Sequence, residues 1–215
     1  MRYKITILLH SFQINITRFF CLVHVDFLIL TKSFYSTTMK TLSILGALLL
    51  SHLGFSQTFT LKSKDIGGQA TQKEFFNGMG CTGQNISPEL SWENAPAGTQ
   101  YYAVTMYDKD APTGSGFWHW VVFNIPSGVS SLQANAGDIS KNIAPKEAIQ
   151  SMTDFGKAGY GGPCPPPGAP HQYLITVYAL KNRIELDKNA MPAIVGFYLN
   201  QNMLAKASIV MYGKQ

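Results

Sequence analysis

Apolar positions rich in aromatic and β-branched residues recur along the chain in short runs bounded by Gly, Pro and Asn. Such runs predict β-strands, here at 58–63, 101–108, 120–125 and 172–180. The run "YYAVTMYD" at 101–108 is apolar on both faces apart from Thr105, which is typical of a strand covered on both sides. We therefore predict that this strand is central in its sheet.

One stretch predicts a helix near the C-terminus. The segment "PAIVGFYLNQNMLAKASIV", 192–210, begins with a proline that suits a first helical turn. On a helix its apolar side chains fall mainly on one side: Ile194, Phe197, Tyr198, Met203 and Leu204. The segments 65–99 and 126–170 are long and irregular, and loops of that length in a compact domain are usually functional. The predicted fold class is mainly β with few helices.

A short targeting segment is predicted at 39–56. It has a basic start at Lys40, an apolar run at 42–50 and small residues before Gln57, which is the layout of a secretory signal peptide cleaved after Ser56. An N-terminal anchor helix is the alternative, although the apolar run is short for a membrane span.

The residues on either side of this segment differ in character. Residues 1–38 have no clear period and are interpreted as an upstream extension, translated from a gene start placed too early; a membrane-associating segment is the alternative. Residues 57–215 have the length of a single domain with its own core. We expect this domain to be periplasmic or secreted, with no transmembrane segment.

The positive charge of the chain lies mostly in its first part. The whole chain carries a formal charge of +5, but residues 57–215 hold 12 basic and 11 acidic side chains. A nucleic-acid-binding face needs clustered basic residues, so this balance gives no support for a nucleic-acid partner. Two cysteines, Cys81 and Cys164, remain in this part. An even pair in an exported domain favours a disulfide, with two buried free thiols as the alternative.

Chemistry-bearing residues gather at the end of the predicted central strand. Asp108 and Asp110 lie two apart and are expected on the same side of the sheet. Pro112 turns the chain away, and the Ala111–Pro112 bond is a candidate for a cis peptide. His119 opens the next strand.

A second group of residues surrounds the other histidine of this part. The loop "GYGGPCPPPGAPHQY", 159–173, is stiff, and His171 leads into the strand that follows it. Gly161 and Gly162 allow a close backbone approach, so their N–H groups are predicted to line an anion site. Both histidines therefore lie at strand starts beside rigid loops, where side chains are presented to ligands.

These motifs resemble those of the phosphatidylethanolamine-binding, or Raf kinase inhibitor-like, family, in its bacterial exported branch. "DKDAPTGSGFWHWVVFNIP" resembles the family's D-P-D-A-P…H-W element, and "GYGGPCPPPGAPHQYLITVYAL" its G-x-P-x-P…H-R-Y element. "CTGQNISPELSWENAPAGTQ", 81–100, resembles the segment that precedes them. The resemblance covers 57–215 in order and spacing. It implies a β-sandwich of Greek-key type with a few peripheral helices.

The resemblance also implies a surface pocket for a phosphoryl or carboxylate anion such as a phospholipid head group. The implied ligand-binding residues are Asp108, Asp110, Pro112, His119, Gly162, Pro163, His171 and Tyr173. Two positions depart from the family pattern: Lys109 stands where proline is usual, and Gln172 where arginine is usual. The implied activity is binding, not catalysis, with no cofactor and no metal.

An anion site that contains carboxylates needs a physical account. An aspartate that accepts a hydrogen bond from one histidine nitrogen fixes the tautomer, so that the other nitrogen faces the ligand as a donor. A nearby carboxylate also raises the pKa of a histidine. The hydroxyl of Tyr173 adds a further donor. We expect modest affinity and selectivity by shape.

Two other function classes stay open. Two histidines with an aspartate are the ligand set of a metalloenzyme, although close-spaced ligand pairs are missing and tryptophans crowd His119 in the sequence. A protein-interaction function, inhibiting a protease or kinase through the 126–170 loop, is the non-enzyme alternative. A serine hydrolase is a weaker alternative, because "GSG" at 114–116 lacks the nucleophile elbow. The "DFG" at 154–156 does not indicate a kinase, because the other kinase motifs are missing from the sequence.

Overall fold

Strands carry most of the fold, in agreement with the prediction. The computed structural model describes residues 57–215, so the predictions for 1–38 and 39–56 lie outside the described residues. The strands run as follows: β1 Thr60–Lys62, β2 Asn77–Gly78, β3 Cys81–Thr82, β4 Leu90–Glu93, β5 Tyr101–Asp108, β6 Phe117–Pro126, β7 Ser131–Leu132, β8 Ile149–Gln150, β9 His171–Leu180 and β10 Met203–Gly213. A 3-10 turn spans Ile139–Lys141, and the helix α1 spans Pro192–Asn202.

The strands form a five-stranded antiparallel sheet, a three-stranded sheet and a small hairpin. The large sheet has the order β10-β9-β5-β6-β8, the smaller one β1-β4-β7, and β2 pairs with β3. Along β9-β5-β6-β8 the order is that of a Greek key, in which the fourth strand returns beside the first. Between β6 and β8 the chain contributes strand β7 to the smaller sheet.

The core lies between the two sheets. Leu90 and Trp92 of the small sheet pack with Val104, Trp120 and other inward residues of the large one. A second cluster covers the outer face of the large sheet: Ala103, Val121, Phe123, Leu180, Ile184, Val195 and Leu199. Strand β5 is therefore central and buried on both faces, as its apolar pattern predicted. Residues 57–215 form one compact unit.

The predicted helix 192–210 is wrong after residue 202. Helix α1 ends at Asn202, and β10 pairs with β9 from Met203 onwards. In β10, Ala205, Ala207 and Ile209 alternate toward the core, so a two-residue period lies within the apparent helical one. The long hydrogen-bonded register with β9 stabilises the strand over a continued helix.

The predicted apolar side of α1 is wrong as well. The helix buries Val195 and Leu199 against the sheet, whereas Ile194, Phe197 and Tyr198 are exposed.

Two further predictions concern the Ala111–Pro112 peptide bond and a membrane-spanning segment. Every described peptide bond is trans, Ala111–Pro112 included. Within residues 57–215 no helix has the length and apolar character that a bilayer crossing needs.

Candidate functional site

The register of the large sheet brings the candidate residues together at one end. Asp108, the last residue of β5, pairs with Tyr173 on β9 and with Phe117 on β6. Because side chains alternate along a strand, His171 lies on the same side as Tyr173, and His119 on the same side as Phe117. Residues far apart in sequence thus converge on the end of the central strand.

These side chains surround a cavity of about 180 Å³. Its lining comprises Met79, Asp108, Ala111, Pro112, Thr113, Phe117, His119, Phe155, Cys164, Pro165, Pro166, His171 and Tyr173. Of the eight predicted ligand-binding residues, five line it: Asp108, Pro112, His119, His171 and Tyr173. The predicted residues Asp110, Gly162 and Pro163 do not line it.

Asp108 and His171 form a hydrogen-bonded pair in the wall of the cavity. The Nδ1–H of His171 donates to Oδ2 of Asp108 at 2.8 Å, so the tautomer is fixed as predicted. The aspartate is buried, and its Oδ1 accepts the backbone N–H of Asp110 at 2.9 Å. Both carboxylate oxygens therefore have protein donors, and the carboxylate is held rigidly.

His119 is set by two backbone carbonyls. Its Nδ1 lies 2.8 Å from the oxygen of Gly161 and 3.1 Å from that of Gly162. Carbonyl oxygens only accept hydrogen bonds, so Nδ1 carries the proton and Nε2 is the nitrogen left for the cavity. Burial lowers the pKa of His119 below 6.5, although the two carbonyls and Asp108 act against this shift. The expected effect of a carboxylate is present, since Asp108 raises the pKa of His119, but burial outweighs it.

Tyr173 lies between the two histidine rings. Its ring is 5.1 Å from that of His119, edge-on, and 6.5 Å from that of His171. Its side chain is fully buried, and its hydroxyl lies near the Asp108 carboxylate and the Cys164 backbone without making a well-formed hydrogen bond among the described residues. Burial, and then the charge of Asp108, raise the pKa of Tyr173, so the hydroxyl keeps its proton as a donor.

The predicted anion cradle of glycine N–H groups is wrong. The N–H of Gly161 donates to the carbonyl of His119 at 2.9 Å, and that of Gly162 donates to Oδ1 of Asn85 at 2.8 Å. The carbonyl of Pro163 accepts the N–H of Phe76 at 2.9 Å. These residues act behind the wall, where they hold His119 in place. Asn85 is a positioning residue that the sequence did not reveal.

Asp110 also acts away from the cavity, in correction of the prediction. Its Oδ2 accepts the N–H of Gln172 at 2.8 Å, and its Oδ1 pairs with Lys109 at 2.8 Å. The turn after Asp108 rotates this carboxylate toward the start of β9, so the two aspartates do not face one site. The two family departures, Lys109 and Gln172, thus meet at Asp110 outside the cavity.

The apolar wall comes from residues that sequence reasoning missed. The ring of Phe155 lies 5.3 Å from that of His119 and 4.9 Å from that of Phe117. The two tryptophans beside His119 in the sequence pack elsewhere, Trp118 on Tyr107 and Trp120 on Tyr160. The signal for Phe155 was the "DFG" turn, whose aromatic residue sits in a stiff glycine-rich segment.

The rim of the cavity is tied by the predicted disulfide. Cys81 and Cys164 are bonded, with their Cα atoms 5.9 Å apart. Cys164 lines the cavity, and so does Met79, two residues before Cys81. The disulfide therefore links the two loops that close the cavity on this side.

Two further features bear on the open alternatives. Among residues 57–215, no group of three His, Cys, Asp or Glu side chains has an arrangement that would hold a metal ion. A second cavity, of about 500 Å³, lies beside the 3-10 turn and β8, with Ile139, Lys146 and Lys188 among its lining residues. We call it the lysine groove.

We expect that replacing His119 by asparagine makes the free energy of unfolding decrease less as the pH falls. Because burial holds the pKa of folded His119 below 6.5, the unfolded chain takes up this proton first as the pH falls. The resulting destabilisation is absent above about pH 6.5 and grows below it. The asparagine amide would still donate to the Gly161 carbonyl, and it does not titrate.

Urea unfolding midpoints from pH 5 to pH 8 measure this difference. The wild type should lose more stability than His119→Asn between pH 7.5 and pH 5.5. Carboxylates such as Asp65, whose pKa lies below 3.8, titrate under this window. Parallel curves for the two proteins would contradict the account of His119.

Comparison with known proteins relates the chain to one sequence family and to solved structures. The family model described as phosphatidylethanolamine-binding protein matches residues 67–213. The UPF0098 protein YbcL of Escherichia coli K12 is 46% identical over 178 residues, which are 80% of this chain and 96% of YbcL. The UPF0098 protein YbhB of the same organism is 49% identical over 153 residues, which are 69% of this chain and 96% of YbhB.

Solved structures agree with these sequence matches. The crystal structure of E. coli YbcL, described as a new member of the mammalian PEBP family, aligns with a TM-score of 0.72 over 74% of this chain and 99% of that chain. A putative phosphatidylethanolamine-binding protein homologue from Chlamydia trachomatis aligns with a TM-score of 0.62 at 25% identity, over 74% of this chain and 99% of that chain.

Proposed function

Since the chain belongs to the phosphatidylethanolamine-binding protein family, as its motifs predicted, we propose that it binds a small phosphoryl or carboxylate anion in the 180 Å³ cavity. One observation carries the proposal. The hydroxyl of Tyr173 is buried and makes no well-formed hydrogen bond among the described residues, and the Tyr173 side chain lines the cavity. A buried donor without a partner costs free energy, and a ligand oxygen would satisfy it.

The remaining walls suit a compact head group. Asp108 and His171 pair across one side, and either could meet a ligand hydroxyl or ammonium group. Phe117, Phe155 and Pro112 supply apolar contacts for a short alkyl part. A polar end and an apolar wall are the usual composition of a small-molecule site.

We propose a binding function and no catalytic one. Among the described residues that line the cavity there is no serine and no free cysteine, because Cys164 is in the disulfide, and the hydroxyl of Thr113 already donates to the carbonyl of Gly116. The proposal extends to an exported protein. It is supported by the signal-peptide layout of 39–56 and by the Cys81–Cys164 disulfide, since disulfides persist in oxidising compartments.

Titration with phosphate, acetate and phosphoethanolamine tests the proposal. We expect the His119 and His171 ring signals in NMR spectra to shift together and to saturate in metal-free protein. Replacing Tyr173 by phenylalanine removes only the unpartnered hydroxyl and should weaken binding about 5–10-fold. Lys146→Ala, in the lysine groove, is the matched control and should bind like the wild type. Rings that stay unchanged at all ligand concentrations would refute the site.

A second candidate function is inhibition of another protein through the 126–170 loop. It is favoured by the lysine groove, in which Lys146 and Lys188 flank apolar residues and belong to none of the described ion pairs. An acidic segment of a protease or kinase would complement such a groove. Inhibition that is lost in a Lys146→Glu and Lys188→Glu double variant but kept in Tyr173→Phe would favour this function.

A further inference from the structure

The anion cavity carries little positive charge of its own. Its ionisable lining residues are Asp108, His119, His171 and Tyr173, and neither lysine nor arginine lines it within the described chain. Tyr173 stays neutral because burial raises its pKa. The carboxylate of Asp108 accepts a hydrogen bond from His171 in the wall of the cavity. A doubly charged oxyanion would therefore meet a carboxylate with at most one fixed cation in reach, which is electrostatically costly in a buried site.

His119 adds a constraint on the ligand. Its Nδ1–H is used by the carbonyls of Gly161 and Gly162 in either charge state, so only Nε2 can meet a ligand. In the neutral ring Nε2 is an acceptor with a lone pair. An acceptor facing an anion oxygen is repulsive unless a proton lies between the two atoms.

The groups around His119 act in opposite directions on its charge. Asp108 on β5 and Asp154 on the facing loop favour the charged ring, while burial favours the neutral one and dominates. Phe117 and Phe155, which pack on the ring, carry no charge. The ring also meets Tyr173, which is uncharged. The neutral acceptor form is therefore the one that the surroundings support near pH 7.

We propose that the cavity takes its oxyanion in a protonated, singly charged form, with the ligand's own O–H donating to Nε2 of His119. The inference rests on the proposed anion-binding function and narrows it to one ligand class. Phosphate monoesters fit, because they lose their second proton with a pKa of about 6 and keep an O–H as monoanions. Phosphate diesters have the single charge without the proton, and sulfate has neither feature at neutral pH. A carboxylate has to be protonated to fit, which disfavours it above about pH 5.

Calorimetric titration of the whole protein with methyl phosphate, dimethyl phosphate and sulfate from pH 5.5 to pH 8 separates these features. We expect methyl phosphate to lose affinity about tenfold per pH unit above pH 7, as its monoanion disappears. In two buffers of different ionisation enthalpy, its binding at pH 8 should take up one proton. At pH 5.5 dimethyl phosphate should bind at least about tenfold more weakly than methyl phosphate, for want of the donor.

The variant His119→Asn supplies the matched comparison. Its amide N–H keeps a donor for the Gly161 and Gly162 carbonyls, while its one acceptor, Oδ1, lies closer to the backbone than the Nε2 atom that is removed. We expect the preference for methyl over dimethyl phosphate to fall to about twofold or less. The wild-type ligand series is decisive without the variant if the variant does not fold.

Four outcomes would overturn the inference, and they can be told apart. Equal affinities for methyl and dimethyl phosphate would show that the charge of the ligand, and not its O–H group, determines binding. If dimethyl phosphate and sulfate also bind more tightly as the pH falls, the proton is on His119 or His171 instead of on the ligand. Acetate binding at pH 7 that does not change with pH would leave the proposed function standing and sink this inference. If no anion binds at any pH, the proposed function itself fails, and the inference falls with it.

Discussion

Replacing Gly162 by alanine should destabilise the fold by about 4 kcal/mol, or prevent folding. A Cβ at this position would lie 2.0 Å from the carbonyl oxygen of Glu74 and 2.7 Å from the backbone nitrogen of Phe76. Both neighbours are backbone atoms, so no side-chain rotation can relieve the overlap. The two loops would have to separate, with loss of the bonds from Gly162 to Asn85 and from Phe76 to Pro163.

Gly196→Ala is the matched control, because it makes the same change where space is free. No atom lies within 4 Å of a Cβ at this position inside α1. Alanine is a better helix former than glycine, so we expect a gain of about 0.5–1 kcal/mol. Urea unfolding of both variants gives the two free energies. A loss below about 1 kcal/mol for Gly162→Ala would show that the loops around Glu74 and Gly162 yield easily.

The close approach at Gly162 also explains what the sequence could and could not predict of the site. Strand ends and stiff loops are local features, and they indicated Asp108, His119 and His171, whereas Tyr173 and a shared pocket were implied by the family resemblance. All four residues line one cavity. The role of Gly162 depends on a loop 77 residues away, where Asn85 accepts its N–H. Spacing along the chain carries no information about such a crossing, so a glycine needed for packing was interpreted as a ligand cradle.

The fold shows the same division between local and long-range information. Strands β5 and β9 were predicted to within one residue, because aromatic and β-branched runs between turn residues specify strands locally. The end of α1 was missed, because the residues after Asn202 fit both a helical and an alternating pattern. Pairing with β9 over the whole of β10 decides between them, and that pairing is a long-range interaction.

The charge of His119 depends on how deeply its ring is buried, which the sequence does not reveal. Proximity of a carboxylate to a histidine was predicted, and Asp108 does lie near both rings. The depth of His119 was not predictable, and its 4% exposure makes desolvation the dominant effect on its pKa. The site therefore presents an acceptor at His119 where the motif alone indicated a cation.

Removing the disulfide should have the other large effect. In the chain-entropy model, a Cys81→Ser and Cys164→Ser double variant loses about 4–5 kcal/mol, because the bond closes a loop of 83 residues in the unfolded chain. For a domain of this size that is a large share of a total stability of about 5–15 kcal/mol. Urea unfolding of the oxidised wild type and of the variant measures the difference.

The wild type treated with a dithiol reductant is the control. Its free energy of unfolding should equal that of the double variant, because both proteins lack the cross-link and keep the surrounding contacts. Both should also bind phosphate monoesters more weakly, because Met79 and Cys164 line the cavity from the two loops that the bond joins. Without the bond the two loops are more mobile and become ordered when the ligand binds. This ordering costs about 0.5–1.5 kcal/mol for each side chain that is immobilised, which corresponds to a roughly 3–10-fold loss of affinity. If stability falls as expected and affinity does not, the loops are held by Gly162 and Asn85 alone, and the disulfide serves the fold without shaping the site.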